Sequence, residues 1–195
     1  MTRITCVSGA LAASLAAMAN AAIVTTSSQS AFNQIAAARG YSQTASFNSF
    51  SDVSGGEAWN AWSAMSLGGA EAYQGKLRTS FPDEALTINF ASGMVYAVGG
   101  TFFNTSTNGS VMVGSLIEIT LADGSSYVSS SSASNFAGFI STTGAISSIT
   151  IAPAFSGPDD FPHASVGSMV LAGVPAPGSV ALLGAAGLIA RRRRR

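Results

Sequence analysis

The chain has 195 residues, enough for one domain with a sizeable core and short for two. Its nine cations and nine acids cancel overall, but between residues 22 and 178 only Arg39, Lys76 and Arg78 stand against all nine acids, a net charge of −6 for that span. An acidic body repels phosphate backbones, which argues against nucleic acid as a partner. The single cysteine, Cys6, lies near the N-terminus, so no disulfide is expected to staple the body.

The first residues combine Arg3, an apolar Ala- and Leu-rich stretch from Ile4 to Met18, and Ala19-Asn20-Ala21. A positive start, an apolar run and small residues at Ala19 and Ala21 make a secretory signal, with cleavage expected after Ala21. Export through the Sec translocon and removal of residues 1–21 by signal peptidase follow from this pattern.

Ser30 to Ala38 predicts a short helix, with Phe32, Ile35 and Ala36 on one face, Ser30 as its cap and Gly40 at its end. From Asn48 to Tyr73 no periodicity stands out, and a long decorated loop over one sheet face is expected. The rest predicts strands. Leu86, Ile88 and Phe90 alternate with Thr87 and Asn89; Ile117, Ile119 and Leu121 alternate with Glu118 and Thr120. Asp123-Gly124 is a hairpin signal, with Tyr127 and Val128 on the return strand. Further strands are expected over residues 45–50, 94–103, 111–113, 136–140, 146–151 and 166–171, separated by Gly, Ser, Asn and Pro clusters. Gly68-Gly69 and Gly99-Gly100 suit turns or bulges. Many short strands at this spacing predict a mainly β fold, an antiparallel sandwich or jelly roll, over residues 22–173.

Little in this span suits catalysis. His163, the only histidine, lies between Pro162 and Ala164 and is expected in a loop or turn. No G-x-S-x-G context, P-loop, dinucleotide fingerprint or zinc spacing occurs. Glu57, Glu71 and Glu118 are formal candidates for a glycosidase pair, but nine acids allow too many pairs for any to be informative. Trp59, Trp62 and Tyr73 are candidates for a flat glycan platform, because an apolar face with a polar edge suits a pyranose; aromatics at this spacing also serve as core anchors. Asp159 and Asp160, after Gly157-Pro158, are weak candidates for calcium, and no metal or other cofactor is otherwise expected.

The last residues hold three parts in order. Val174, Pro175, Ala176, Pro177 and Gly178 form a helix-breaking element. Val180 to Ala190 is an apolar run. Arg191, Arg192, Arg193, Arg194 and Arg195 then form a block that halts translocation and stays cytoplasmic. This order over residues 174–195 resembles the PEP-CTERM sorting signal: a Pro-Glu-Pro-like motif, a hydrophobic transmembrane helix and a basic end. Ala176 stands where that motif has Glu. The resemblance implies an exosortase substrate, anchored briefly in the inner membrane and then processed at residues 174–178. It also implies an exopolysaccharide-producing Gram-negative host.

A second resemblance lies in the body. Tyr96 to Phe103, Ile117 to Gly124, Phe136 to Ile140 and Ile146 to Ile151 are similar to the lectin-shaped β-sandwich bodies that precede such tails. An Asp-Asn pair common in their last strand is missing from His163 to Met169. Together the readings predict a non-catalytic, exported cell-surface or matrix protein associated with exopolysaccharide or biofilm. A secreted carbohydrate-binding module is the alternative, and a carbohydrate-active enzyme the second alternative.

Overall fold

The computed structural model describes residues 22–91, 93–155 and 161–174. The signal segment with Ala19 and Ala21, the motif residues Pro175 to Gly178, the apolar run and the arginines lie outside the described residues, as do Asp159 and Asp160. Among the described residues no helix is long and apolar enough to cross a membrane.

In chain order the elements are β1 (Ile23–Thr26), α1 (Gln29–Ala38), β2 (Gln43–Phe47), β3 (Ser54–Gly55), β4 (Trp62–Met65), β5 (Ala70–Tyr73), β6 (Lys76–Thr79), β7 (Leu86–Phe90), β8 (Val95–Thr105), β9 (Leu116–Leu121), β10 (Ser126–Ser130), β11 (Phe136–Ser141), β12 (Ser148–Phe155) and β13 (His163–Gly173). They form two antiparallel sheets. One runs β1-β11-β8-β13-β6-β5, with β2 also paired to β13; the other runs β10-β9-β12-β7-β4-β3. The expected mainly β sandwich is therefore present.

The second sheet follows simple alternation. Leu86, Ile88, Ile117, Ile119, Ile149 and Ile151 are fully buried between the sheets, while Thr87, Thr120 and Thr150 point away from the core. The first sheet is covered on both faces. Its inner face adds Val98, Phe102, Phe139, Val166, Met169 and Leu171 to the main core. On its outer face α1 lays Phe32 and Ala36 over Val24, Ala97, Ile140, Val170 and Ala172. The helix starts at Ser28, whose hydroxyl accepts from Ala31 N–H, and not at Ser30. It ends in a Schellman turn: Gly40 at φ +81° and Tyr41 donate back to Ala37 and Ala36. Tyr41 then donates its hydroxyl to the Ser141 carbonyl at 2.6 Å.

Several expectations change. Residues 48–73 are not one long loop: β3, β4 and β5 lie in this stretch, each too short to show a period. Residues 111–113 make one isolated bridge, Val111 to Thr105, because the chain turns there. Gly99 and Gly100 sit inside β8. They are needed for close approach: a Cβ at Gly100 would lie 2.2 Å from the Ser168 carbonyl oxygen, and one at Gly99 would lie 2.5 Å from the Phe136 ring. The register shift falls on the facing strand, between Val166 and Ser168. Across it β13 exchanges faces: Ala164 and Val166 point into the core before it, Met169 and Leu171 after it.

Gly100→Ala is expected to lower stability by about 1–3 kcal/mol, since backbone stands where the methyl must go. Gly144→Ala, where the space is open, should change it by less than about 0.5 kcal/mol. Urea unfolding midpoints of the two variants check this, and equal midpoints would contradict it.

Candidate functional site

Residues 80–85 link β6 to β7 and cross between the sheets. Two consecutive residues fix this crossing from below. His163 Nδ1 lies 2.7 Å from the Thr79 carbonyl oxygen. A carbonyl only accepts, so Nδ1 carries the proton. The Pro162 carbonyl accepts Asp83 N–H at 2.8 Å. Asp83 adopts φ +59°, left-handed backbone that is uncommon for a side-chain-bearing residue. Between these two anchors Phe81 is pushed outward and is 58% exposed.

Phe81 overhangs the β4–β5 turn. A Cβ at Gly68 would come within 2.2 Å of its ring and 2.9 Å of Glu84 Oε1, so a larger residue there would displace one of these side chains. Glu84 Oε2 accepts from the Ser66 hydroxyl and, at 2.9 Å, from Gly68 N–H. These donors hold the Glu84 carboxyl below the usual carboxylate range, the Ser66 hydroxyl contributing most. Next to this clamp lies an open cleft of about 560 Å³, lined by Met65, Ser66, Leu67, Asp83, Glu84 and Thr87 among others. Met65 and Leu67 are exposed at its rim. The cleft therefore offers apolar surface, carboxylate oxygens and hydroxyls side by side.

A second groove of about 410 Å³ lies on the outer face of the other sheet, between Asn48, Gln74, Lys76, Thr101 and Ser168. Its polar groups are mostly engaged in the fold. Lys76 Nζ donates to the Gly109 carbonyl at 3.0 Å, and Gln74 Nε2 to the Asn108 carbonyl at 3.4 Å. Neighbouring Arg78 is buried, ion-paired to Glu71 at 2.6 Å, donates to the Thr107 carbonyl and lies 3.7 Å over the Tyr73 ring. These cations fasten the 106–110 loop.

The sequence-predicted residues are placed apart. Trp62 is a core side chain, 5% exposed, packed edge-on against Phe47 and Phe50. Trp59 is half-buried against the same core, and Tyr73 lies in the opposite sheet beneath Arg78. The three do not make one platform, because the hydrophobic effect draws the most apolar of them inside. Glu71 is committed to Arg78, and Glu118 stands on the outer face of β9. His163 is 3% exposed at the start of β13 and is not a loop residue. Val174 is exposed directly after β13. Among the described residues no group of three His, Cys, Asp or Glu could hold a metal ion.

Phe81, Glu84 and Ser66 escape a reading by periodicity, since all lie in connections. One local signal marks them: Phe81-Pro82 and Phe161-Pro162 are both Phe-Pro pairs. Both phenylalanines are more than half exposed, and Asp83 ties the two segments together.

No family model and no curated protein matches this chain. Among solved structures it is similar to a family two carbohydrate esterase from Cellvibrio japonicus, at 11% identity over 69% of this chain and 36% of that one, with a TM-score of 0.41. It thus spans little more than a third of the esterase. It is also similar to the family 32 carbohydrate-binding module from C. perfringens NanJ in complex with galactose, at 12% identity over 67% of this chain and 92% of that one, with a TM-score of 0.29. A third is truncated AlyQ with its carbohydrate-binding and alginate lyase domains, at 14% identity, 69% and 35% coverage and a TM-score of 0.35.

Because the folded-state pKa of Glu84 is depressed, its clamp is present above the ordinary carboxylate pKa and is lost as pH falls through the lower folded value. The Gly68 amide resonance is expected to titrate below the ordinary range, and Glu84→Gln should abolish that titration. A Gly68 amide blind to pH in the parent protein would disprove the clamp.

Proposed function

We propose that this protein is a non-catalytic, exported surface protein whose sandwich holds a polysaccharide chain in the Glu84 cleft, against the neighbouring Phe81 ring. The observation that carries this reading is an open cleft in which exposed Met65 and Leu67 stand beside the Glu84 carboxylate and the Ser66 and Thr87 hydroxyls, with the exposed Phe81 ring next to it over Gly68. A pyranose presents apolar C–H faces and a rim of hydroxyl donors; an exposed ring beside acceptors meets both. The polysaccharide is an exopolysaccharide of the producing cell, and the protein is part of its surface layer or biofilm matrix.

Glu84 is unsuited to the general-acid role, which needs a raised pKa, because the Ser66 and Gly68 donors push its pKa down. Its oxygens are thus kept ionised as acceptors. Export, exosortase processing at residues 174–178 and transient anchoring in the inner membrane are supported by the order of leader, body, Pro-Ala-Pro element, apolar run and arginines.

Phe81→Ala is expected to weaken retention in affinity gels cast with the host exopolysaccharide by about threefold to tenfold, the value of one aromatic face. Trp62 is no suitable control, being core; Val113→Ala, at an exposed site, should leave retention unchanged. If both variants migrate like the parent, the cleft does not bind glycan. Intact-mass analysis of the surface fraction should find a mature N-terminus at residue 22 and a C-terminus within 174–178. Uncut full-length protein in the cytosol would overturn the export reading.

A further inference from the structure

The second sheet ends at β10, and the way it ends is unusual. Its neighbour β9 covers one side; on the other side no described strand follows. The turn between them sets which groups face out. Leu121 N–H donates to the Ser125 carbonyl and Gly124 N–H to the Leu121 carbonyl, each at 2.9 Å, with Gly124 at φ +85°. Leu121 and Ser125 therefore form a hydrogen-bonded pair. By the antiparallel alternation Tyr127 and Ser129 also turn their peptide groups toward β9. Ser126, Val128 and Ser130 turn theirs outward. The Ser130 carbonyl accepts from Asn135 Nδ2 at 3.0 Å; the other five groups line the edge.

Exposed edges are normally blunted by charge, proline or a bulge. Residues 124–135 contain no charged residue and no proline, and the β9–β10 register is unbroken. Two apolar side chains stand on its outer face among Ser126, Ser130, Thr120 and Glu118: Val128, opposite Glu118, is 54% exposed and Leu116, opposite Ser130, is 41% exposed. Of the other outer strands, β3 has two residues, β1 has four and β5 carries Glu71, while β2, like β10, has five residues and no charge.

We propose that a second copy of this chain pairs here, β10 against β10 antiparallel, across a two-fold axis through Val128. The register follows from the outward-facing groups: Val128 meets its own copy, and Ser126 meets Ser130 of the partner. This register uses every outward residue, and any shift along the edge leaves some unpaired. The two Val128 side chains cover each other beside Leu116, which gives the exposed apolar atoms a partner. Charge permits the same edge: β10 itself is uncharged, and the nearest carboxylate on the outer face, Glu118 opposite Val128, stands one strand back from the seam. The paired sheets become one twelve-stranded sheet, its two Glu84 clefts carried on opposite halves. An isologous contact of this kind closes on itself and does not polymerise.

The test uses the full chain carrying Cys6→Ser, so that an introduced cysteine is the only thiol. Directly paired Cα atoms in a hydrogen-bonded pair lie about 5.5 Å apart, within disulfide reach. Val128→Cys should form a covalent dimer under mild oxidation. Ser126→Cys and Ser130→Cys should each stay free of cross-links alone and cross-link when mixed. Val128→Pro, which removes an outward N–H and spares the β9 ladder, should sediment at half the mass of the parent. Monomeric parent protein across the concentration range, or cross-linking of Ser126→Cys with itself as efficiently as Val128→Cys, would overturn the proposal. Since glycan retention by Phe81→Ala does not depend on this edge, either reading can fail without the other.

Discussion

One strand, β13, is the constraint on which the rest of the architecture depends. Its eleven residues include no Asp, Glu, Lys or Arg, and it is hydrogen-bonded along both sides, to β8 on one and to β2 and β6 on the other. A strand so placed must be buried on both faces, and it must satisfy different neighbours at its two ends. The register shift at Gly167 resolves this. It lets Ala164 and Val166 fill the core from one end, Met169 and Leu171 from the other, while Val170 and Ala172 meet α1. The tight contact between Gly100 and the Ser168 backbone is the price of that crossover.

The candidate site is a by-product of the same strand. Pro162 and His163, just before and at its first residue, grip the crossing from β6 to β7 at two points, Asp83 and Thr79. A segment held at both ends cannot tuck Phe81 inward, so an aromatic side chain that would otherwise be buried stays in solvent. Left-handed backbone at Asp83 is the strain this arrangement tolerates. On the facing side one oxygen of Glu84 accepts from both the Ser66 hydroxyl and the Gly68 amide of the β4–β5 turn, which also lowers its pKa.

Charge is scarce in this body, and what there is serves the fold. Arg78 spends its guanidinium on Glu71, Thr107 and Tyr73, and Lys76 holds Gly109. Much of the remaining polar surface is made of uncharged hydroxyls and amides. The same scarcity leaves the β10 edge without the lysines that usually guard such positions.

The sequence by itself determined the class of fold wherever one face of a strand meets water. Residues 86–90 and 117–121 were legible because burial on one side imposes period two, and Asp123-Gly124 because its turn needs left-handed backbone at glycine. The helix was legible from Phe32 and Ala36, within two residues of its cap. Tertiary structure alone decided the rest. β8, β11 and β13 were expected as strands near 94–103, 136–140 and 166–171, but both of their faces are buried and the β8–β13 register shifts, so which side chain faces which layer could not be read. β3 to β6 are too short to carry a period. The aromatics were the hardest case: Trp62, Trp59 and Tyr73 looked available and Phe81 did not. Composition records how apolar a ring is, but only the packing of the elements around it decides whether water can reach it.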